Sequence, residues 1–513
     1  MSAIGPSATG KAIAVETIGM TMRFGTFTAL DDVSMKVSAG SFHALLGENG
    51  AGKSTLVKCM MGFNHPTEGA LLVNNREVTV ADPNDAAEHG LGMVYQHFTL
   101  VPSLTGAENL VISRRNVPRV IDWARERKAL AAFMTTMPFD LPLDVPVRDL
   151  AAGEKQKLEI VKQLYLDRRF LVLDEPTSVL TPTEAHEVLG LVRQMTLAGD
   201  LTVLMISHKF HEVTAFADAF TVLRKGRLTG SGKVGEHDAR SMAAMMIGDQ
   251  PVATLASRTP LVADAPTVLA VRGLEASDRT GLKTIAIDHV EVHAGEIVGI
   301  AGISGNGQKE FTEVLGGQRA RRAGDIRVKG KPYGAPRRET QELAVRFIPE
   351  EPLRNACAPR MTVAENIAFR TFDLDAGGRR ISWISVAAMK ARAAELVAQF
   401  KVKAASLASP LQSLSGGNVQ RAVLARELSG EVDLLIVANP CFGLDFSAVA
   451  EIRARLMTAR NGGTAVLLIS EDLDELLELS DRILVMSDGR IVHETPIATA
   501  SVQTIGEYMA GHH

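Results

Sequence analysis

Cysteine is scarce in this chain of 513 residues: Cys59, Cys357 and Cys441 are the only three, and they are far apart. Their spacing matches neither a disulfide frame nor a zinc site, and three free thiols fit a reducing compartment. No stretch approaches the roughly 18 consecutive apolar residues that a membrane-spanning helix needs. The best candidate, around Ile297–Ile303, is short and interrupted by glycine, so membrane association is expected only through a partner. Met1–Gly10 has no charged start followed by an apolar core, and no secretory signal is expected. An excess of positive charge is missing too. The net charge is −4, and the basic pairs Arg321-Arg322, Arg337-Arg338 and Arg379-Arg380 are short enough to be solvated surface, so nothing favours nucleic acid as a partner.

What is present is apolar side chain, 46% of the residues, in a chain longer than one hydrophobic core serves. The pattern occurs twice. Gly47-Glu48-Asn49-Gly50-Ala51-Gly52-Lys53-Ser54-Thr55 returns as Gly302-Ile303-Ser304-Gly305-Asn306-Gly307-Gln308-Lys309-Glu310, and 302 minus 47 is 255. Leu150-Ala151-Ala152-Gly153-Glu154 returns as Leu414-Ser415-Gly416-Gly417-Asn418, and 414 minus 150 is 264. A period this long marks duplicated domains. The first is expected over 13–250 and the second over 268–511. Residues 251–267, with prolines at 251, 260 and 266 and little periodicity, read as a linker long enough to let the halves pair face to face. Short apolar runs such as Phe42–Leu46, Leu201–Ile206 and Thr464–Ile469 read as buried strands and Lys53–Met61 as a helix. The alternation points to α/β domains with a mainly parallel sheet.

The two copies are damaged in complementary places. In the first, Gly47, Gly50 and Gly52 let the backbone curl so that its amides face phosphate oxygens, with a helix start behind them. Lys53 would bridge the β- and γ-phosphates and Ser54 would ligate Mg²⁺. Asp174, at the end of an apolar strand, would hold Mg²⁺ through water, and Glu175 would orient or deprotonate the attacking water. In the second copy Lys53, Ser54, Asp174 and Glu175 are replaced by Gln308, Lys309, Ala438 and Asn439. A half without its carboxylate loses roughly 10²- to 10⁴-fold in general-base catalysis. Yet Ser415, with Gly416 and Gly417 at a helix start, survives only in the second half, where the first has Ala151. Lys309 has two readings: an ammonium standing in for Mg²⁺ so that the degenerate site retains nucleotide, or a solvated surface lysine.

Taken together these motifs resemble the ABC ATPase family over nearly all of both halves. The resemblance implies two tandem P-loop domains, each a mainly parallel core sheet with an antiparallel edge sheet and a helical subdomain. It implies ATP and Mg²⁺ as cofactors, with Gly47, Glu48, Asn49, Gly50, Ala51, Gly52, Lys53, Ser54 and Thr55 around the phosphates. Gln96, in Val94-Tyr95-Gln96-His97, matches the loop that senses metal and permease, and Ser54, Gln96 and Asp174 form the metal set. His208 matches the switch histidine, and Glu175, His208 and Gln96 form the catalytic set. Phe24 looks like the aromatic stacked on adenine, with Phe27 as rival and plain core as the other reading. Ser415, Gly416, Gly417 and Asn418 would complete, from the opposite half, the site built on Lys53. Asp445 in Gly443-Leu444-Asp445 keeps an acid that Thr181 replaces in the first half, while Glu350 and Glu471 stand where the second half would carry Gln96 and His208.

Within the family, the chain looks like the tandem ATPase subunits of bacterial simple-sugar and nucleoside importers. Tyr95-Gln96-His97-Phe98, Val179-Leu180-Thr181-Pro182 and Gly305-Asn306-Gly307-Gln308 are nearer the nucleoside-type branch. Ala151, Cys441-Phe442 and Glu350-Glu351-Pro352-Leu353 depart from it. Two transmembrane permease subunits and, indirectly, an extracytoplasmic substrate-binding protein are the implied partners. The implied location is peripheral, at the cytoplasmic face of the bacterial inner membrane. Importers of another small solute, such as a vitamin, remain an alternative. A soluble ribosome-acting or DNA-repair ATPase is disfavoured by the short apolar linker and by the lack of zinc-binding cysteines or coiled-coil arms.

Overall fold

The computed structural model describes residues 11–95, 98–177, 180, 182–207, 209–248, 254–278, 281, 284–303, 305–374, 379, 383–442, 444 and 446–509. The chain divides into two compact units between Pro251 and Val252. Among the described residues no helix is long and apolar enough to cross a membrane.

The first unit contains strands β1 (Val15–Phe24), β2 (Phe27–Val37), β3 (Phe42–Leu46), β4 (Glu68–Val73) and β5 (Arg76–Val78), then β6 (Leu91–Val94), β7 (Phe170–Asp174), β8 (Thr202–Ile206), β9 (Ala219–Arg224) and β10 (Arg227–Lys233). β2-β1-β4-β5 make an antiparallel sheet; β10-β9-β3-β8-β7-β6 make a second sheet, parallel except for the β9–β10 hairpin. Every residue of β3 and β8 is buried. Continuous apolar runs like these are what a parallel sheet covered on both faces demands. Because β3, β7 and β8 run parallel, the segments after Leu46, Asp174 and Ile206 all leave the same edge of the sheet, where ligands of such folds bind. The helices Gly106–Ile112, Trp123–Met134 and Ala152–Tyr165 lie between β6 and β7 in the chain and form the helical subdomain.

The second unit repeats this plan. Its strands are β11 (Thr267–Ser277), β12 (Thr284–His293), β13 (Ile297–Ala301), β14 (Ala323–Val328) and β15 (Lys331–Pro332), then β16 (Val345–Ile348), β17 (Leu434–Ala438), β18 (Ala465–Ser470), β19 (Arg482–Ser487) and β20 (Arg490–Pro496). The sheet orders, β12-β11-β14-β15 and β16-β17-β18-β13-β19-β20, match the first unit strand for strand. Its own core packs Ile297, Leu435, Leu468 and Val485 against the helices Val386–Gln399 and Gly416–Glu427.

The elements fall within a residue of their expected ends: β8 begins at Thr202 and β18 runs Ala465–Ser470, while the phosphate-loop helix is Lys53–Met60, with Met61 as its cap. Residues 254–266 form neither helix nor strand, and part of this stretch is fastened to the second unit. Buried Arg460 pairs with Asp481 at 2.9 Å and donates to the Thr259 carbonyl at 2.5 Å, and Asn461 Nδ2 donates to Ser257 O at 2.9 Å. A buried guanidinium needs acceptors on every side, and this segment supplies two, the Thr259 carbonyl and hydroxyl.

Candidate functional site

Between β3 and the helix Lys53–Met60, the loop turns through glycines with positive φ: 151° at Gly47, 79° at Gly50 and 105° at Gly52. A Cβ on Gly47 would collide with the Leu223 carbonyl, and one on Gly52 would lie 2.9 Å from the Ala29 carbonyl, so both space and conformation require glycine. Gly52 caps the helix with no side-chain hydrogen bond, which leaves the first-turn amides to a ligand.

Lys53 Nζ donates to Gly47 O at 2.6 Å and Glu48 O at 3.0 Å. Burial pushes its pKa down, against the pull of the Glu175, Asp174 and Glu48 carboxylates. Asp174 is shifted upward, first by burial and then by Glu175, with Lys53 and Lys58 opposing. The cation and the two acids that the sequence assigns to phosphate, metal and water thus share one electrostatic neighbourhood. Glu175 adopts a left-handed φ of 48°, held by its amide donating to Ile206 O at 2.9 Å. A non-glycine residue held there costs about 1–3 kcal/mol, a strain typical of functional turns. The Ser54 hydroxyl and Asp174 carboxylate are hard oxygen donors that fit Mg²⁺.

Phe24 and Phe27 face each other across the β1–β2 hairpin, 49% and 65% exposed, so neither belongs to the core. Gln96, His208, Thr181 and Asp445 lie outside the described residues. Just beyond Gln96, Thr99 is bound through its amide and hydroxyl to buried Glu159, which pairs with Lys162 at 2.6 Å. This fastens the loop after β6 to the helix Ala152–Tyr165.

In the second unit the backbone is retained and the chemistry is not. Gly305 and Gly307 keep φ values of 94° and 107°, leading into the helix Gln308–Leu315. Gln308 Nε2 donates to Ile303 O at 3.2 Å, a neutral amide making the contact that Lys53 makes to Glu48 O. Asn439 has a φ of 43°, and its amide donates to Ile469 O at 2.8 Å, as that of Glu175 does to Ile206 O. Its side chain then ties two replaced positions together: Nδ2 donates to Glu350 Oε1 at 3.2 Å, and Oδ1 accepts from the Glu471 amide at 3.0 Å. These residues and exposed Lys309 line a cavity of about 360 Å³.

The serine-glycine motif differs in the opposite sense. Ser415 precedes the helix Gly416–Glu427 and is exposed together with Gly416; a Cβ on Gly416 would meet nothing, and one on Gly417 only Leu444 at 3.8 Å. Ser415 Oγ accepts from Asn418 Nδ2 at 2.9 Å, which leaves the helix-start amides open. At the equivalent start in the first unit, Ala151 has no hydroxyl, and a Cβ on Gly153 would lie 3.0 Å from both oxygens of Glu184, a carboxylate paired with Lys157 at 3.1 Å. Glu184 comes from the separate helix Pro182–Leu197, and no motif in the sequence marks it.

The family model described as ABC transporter matches residues 30–178 and again 287–441. The nucleoside import ATP-binding protein NupA of Lactococcus lactis is 36% identical over 501 residues, covering 97% of this chain and 98% of that protein. The glucose import ATP-binding protein TsgD13 of Haloferax volcanii is 36% identical, covering 95% and 94%. The ribose import ATP-binding protein RbsA of Burkholderia mallei is 34% identical, covering 92% of each. Among solved structures, the RNase-L Inhibitor matches with a TM-score of 0.65 at 17% identity, covering 96% of this chain and 93% of that one, a likeness of fold alone.

Proposed function

This chain belongs to the ABC transporter family, and from that premise we propose that it is the ATP-hydrolysing subunit of an importer for nucleosides or simple sugars, with one competent and one degenerate nucleotide site. It works beneath two transmembrane permease subunits, peripheral to the cytoplasmic face of the membrane, and an extracytoplasmic binding protein delivers the solute to them.

The observation that carries this reading is the repeated turn after β7 and β17: the same left-handed backbone presents Asp174-Glu175 in one unit and Ala438-Asn439 in the other. In the first unit, the amides of Gly47–Thr55 bind the phosphates and Phe24, or Phe27 as its rival, stacks on adenine. Lys53 exchanges the carbonyls of Gly47 and Glu48 for phosphate oxygens. Ser54, Asp174 and Gln96 would hold Mg²⁺, which when bound neutralises phosphate charge. Glu175 positions and deprotonates the attacking water, and His208 contacts the γ-phosphate. Ser415 to Asn418 of the second unit supply further donors to that phosphate in the closed state. The Thr99–Glu159–Lys162 cluster offers a stiff path from the loop at Gln96 to the helical subdomain and so to the permeases.

The test compares ATP turnover, and uptake of labelled adenosine and labelled ribose, in the native chain, Glu175→Gln and Asn439→Ala. Glu175→Gln should lower turnover by about 10²- to 10⁴-fold and abolish uptake of one solute, while Asn439→Ala leaves both in place. Equal losses in the two variants would refute the asymmetry, and uptake of neither solute by the native chain would discard the solute class.

A further inference from the structure

The second unit keeps a phosphate-shaped loop with room beside it, which raises the question of whether anything occupies it. Size does not decide the matter, since about 360 Å³ falls within the usual range for small-ligand sites. Charge does. Five carboxylates line this cavity: Glu310, Glu313, Glu350, Glu351 and Glu471. Two cations line it with them, Lys309 and Arg354, and Arg354 lies 3.5 Å from Glu351. A third cation, Arg319, pairs with Glu313 at 2.5 Å and lies 3.9 Å from Glu310. Among the described residues, five carboxylates thus stand against three cations before any ligand arrives, in a place where a nucleoside triphosphate would add several more negative charges.

The positions matter more than the count. Glu310 stands where the first loop has Thr55, at the start of the helix whose amides would meet phosphate. Glu350 is hydrogen-bonded to Asn439, and Asn439 to the amide of Glu471, so both acids stay beside the turn where the first unit would hold metal and water. Counting along the strands from the shared pairs Met22↔Leu30 and Ala276↔Ile285, Asp278 takes the place of Phe24. At the first unit's own serine-glycine position a further carboxylate, Glu184, lies beside Gly153.

We infer that the protein binds one nucleoside triphosphate per chain, at Gly47–Thr55, and that the cavity beside Gly305–Glu310 excludes nucleoside triphosphates. This rests on the proposed assignment of the first unit as the hydrolysing one. It reverses the reading of Lys309 as a stand-in for Mg²⁺: one exposed ammonium is outnumbered. The second unit is then a nucleotide-independent body, latched by Asn439, that contributes its Ser415 helix start and not a second fuel site.

The experiment is equilibrium dialysis of α-labelled ATP with Mg²⁺ against the full chain carrying Glu175→Gln, and against the same chain also carrying Lys53→Ala. We expect one nucleotide per chain in the former and at least a tenfold loss of affinity in the latter. Two per chain, or one that survives Lys53→Ala, overturns the inference and leaves the proposed function standing. No binding to either protein overturns both. A third protein, Glu175→Gln with Glu310→Thr and Glu471→Gln, tests the cause: each carboxylate removed should tighten the second site roughly tenfold, so that a second nucleotide appears. If it and the single Glu310→Thr both bind only one, charge is not what closes the cavity and the inference falls.

Discussion

His43 is the second residue of β3, with its Nε2 2.9 Å from Thr221 Oγ1, and burial pushes its pKa down to about 4 despite the nearby Asp218 carboxylate. An unfolded chain protonates the same histidine near pH 6.5. Between those values the unfolded state binds a proton that the folded state refuses, so the first unit loses stability as pH falls from about 6.5 to about 4, by roughly 3 kcal/mol in all. Val298 stands at the same register in β13, paired with Leu467 and Arg482 as His43 is with Leu204 and Ala219. Urea unfolding at pH 7.5 and pH 4.5 should therefore show an acid loss in the first unit that His43→Val removes. An unchanged pH dependence in that variant would exonerate the histidine. Single residues differed in how legible they were. Lys53 announced itself by its spacing from the loop glycines, and Asp174 and Glu175 by following an apolar strand in the same domain. His43 and Glu184 did not, because a lone histidine in an apolar strand and a glutamate on a surface-reading helix acquire their meaning only from residues that packing brings to them.

At the level of elements, the strands were legible because both faces of the central sheets are covered and each strand is one apolar run. The order of those strands, which sets Leu46, Asp174 and Ile206 side by side, came only from the fold. Helix starts carry the clearest contrast. The helix Ala152–Tyr165 is preceded by Ala151, whose amide donates to Glu154 but which offers no side-chain oxygen to the helix start. Ala151→Ser should stabilise the first unit by about 1 kcal/mol in chemical denaturation, while ATP turnover stays unchanged, because in the proposed assignment the hydrolysing site uses the Ser415 motif and not this one. Ser415 makes no cap hydrogen bond to its helix, so Ser415→Ala should do the reverse, sparing stability and lowering turnover. A gain in turnover from Ala151→Ser would mean that the first unit's motif is in use.

At the scale of the molecule, each unit has its own core and sheets, and two unfolding transitions are expected. MgATP at about 100 times its dissociation constant adds about 2.7 kcal/mol to whatever binds it, which for a unit of this size is about 5–10 °C in midpoint. Calorimetry should show that displacement in one transition only, the one that His43→Val identifies as the first unit. Displacement of both would mean that both units hold nucleotide. The duplication was legible from the repeated glycine loops. That the second copy has the same left-handed turn at Asn439 as the first has at Glu175, with no acid there to display, was not, since backbone conformation leaves no letter in the sequence.

That turn, emptied of its carboxylates, bears on how far a cell can concentrate the solute. The free energy available to each transport cycle is the number of ATP molecules split multiplied by the free energy of splitting one, and the logarithm of the attainable concentration ratio is proportional to it. On the proposed asymmetry, with Ala438-Asn439 in place of a second Asp-Glu, one hydrolysing site is left to drive each cycle, and one ATP per cycle is the expected stoichiometry. The steepest gradient the importer can sustain is then the square root of what a two-ATP machine could hold, and each molecule taken up consumes half the fuel.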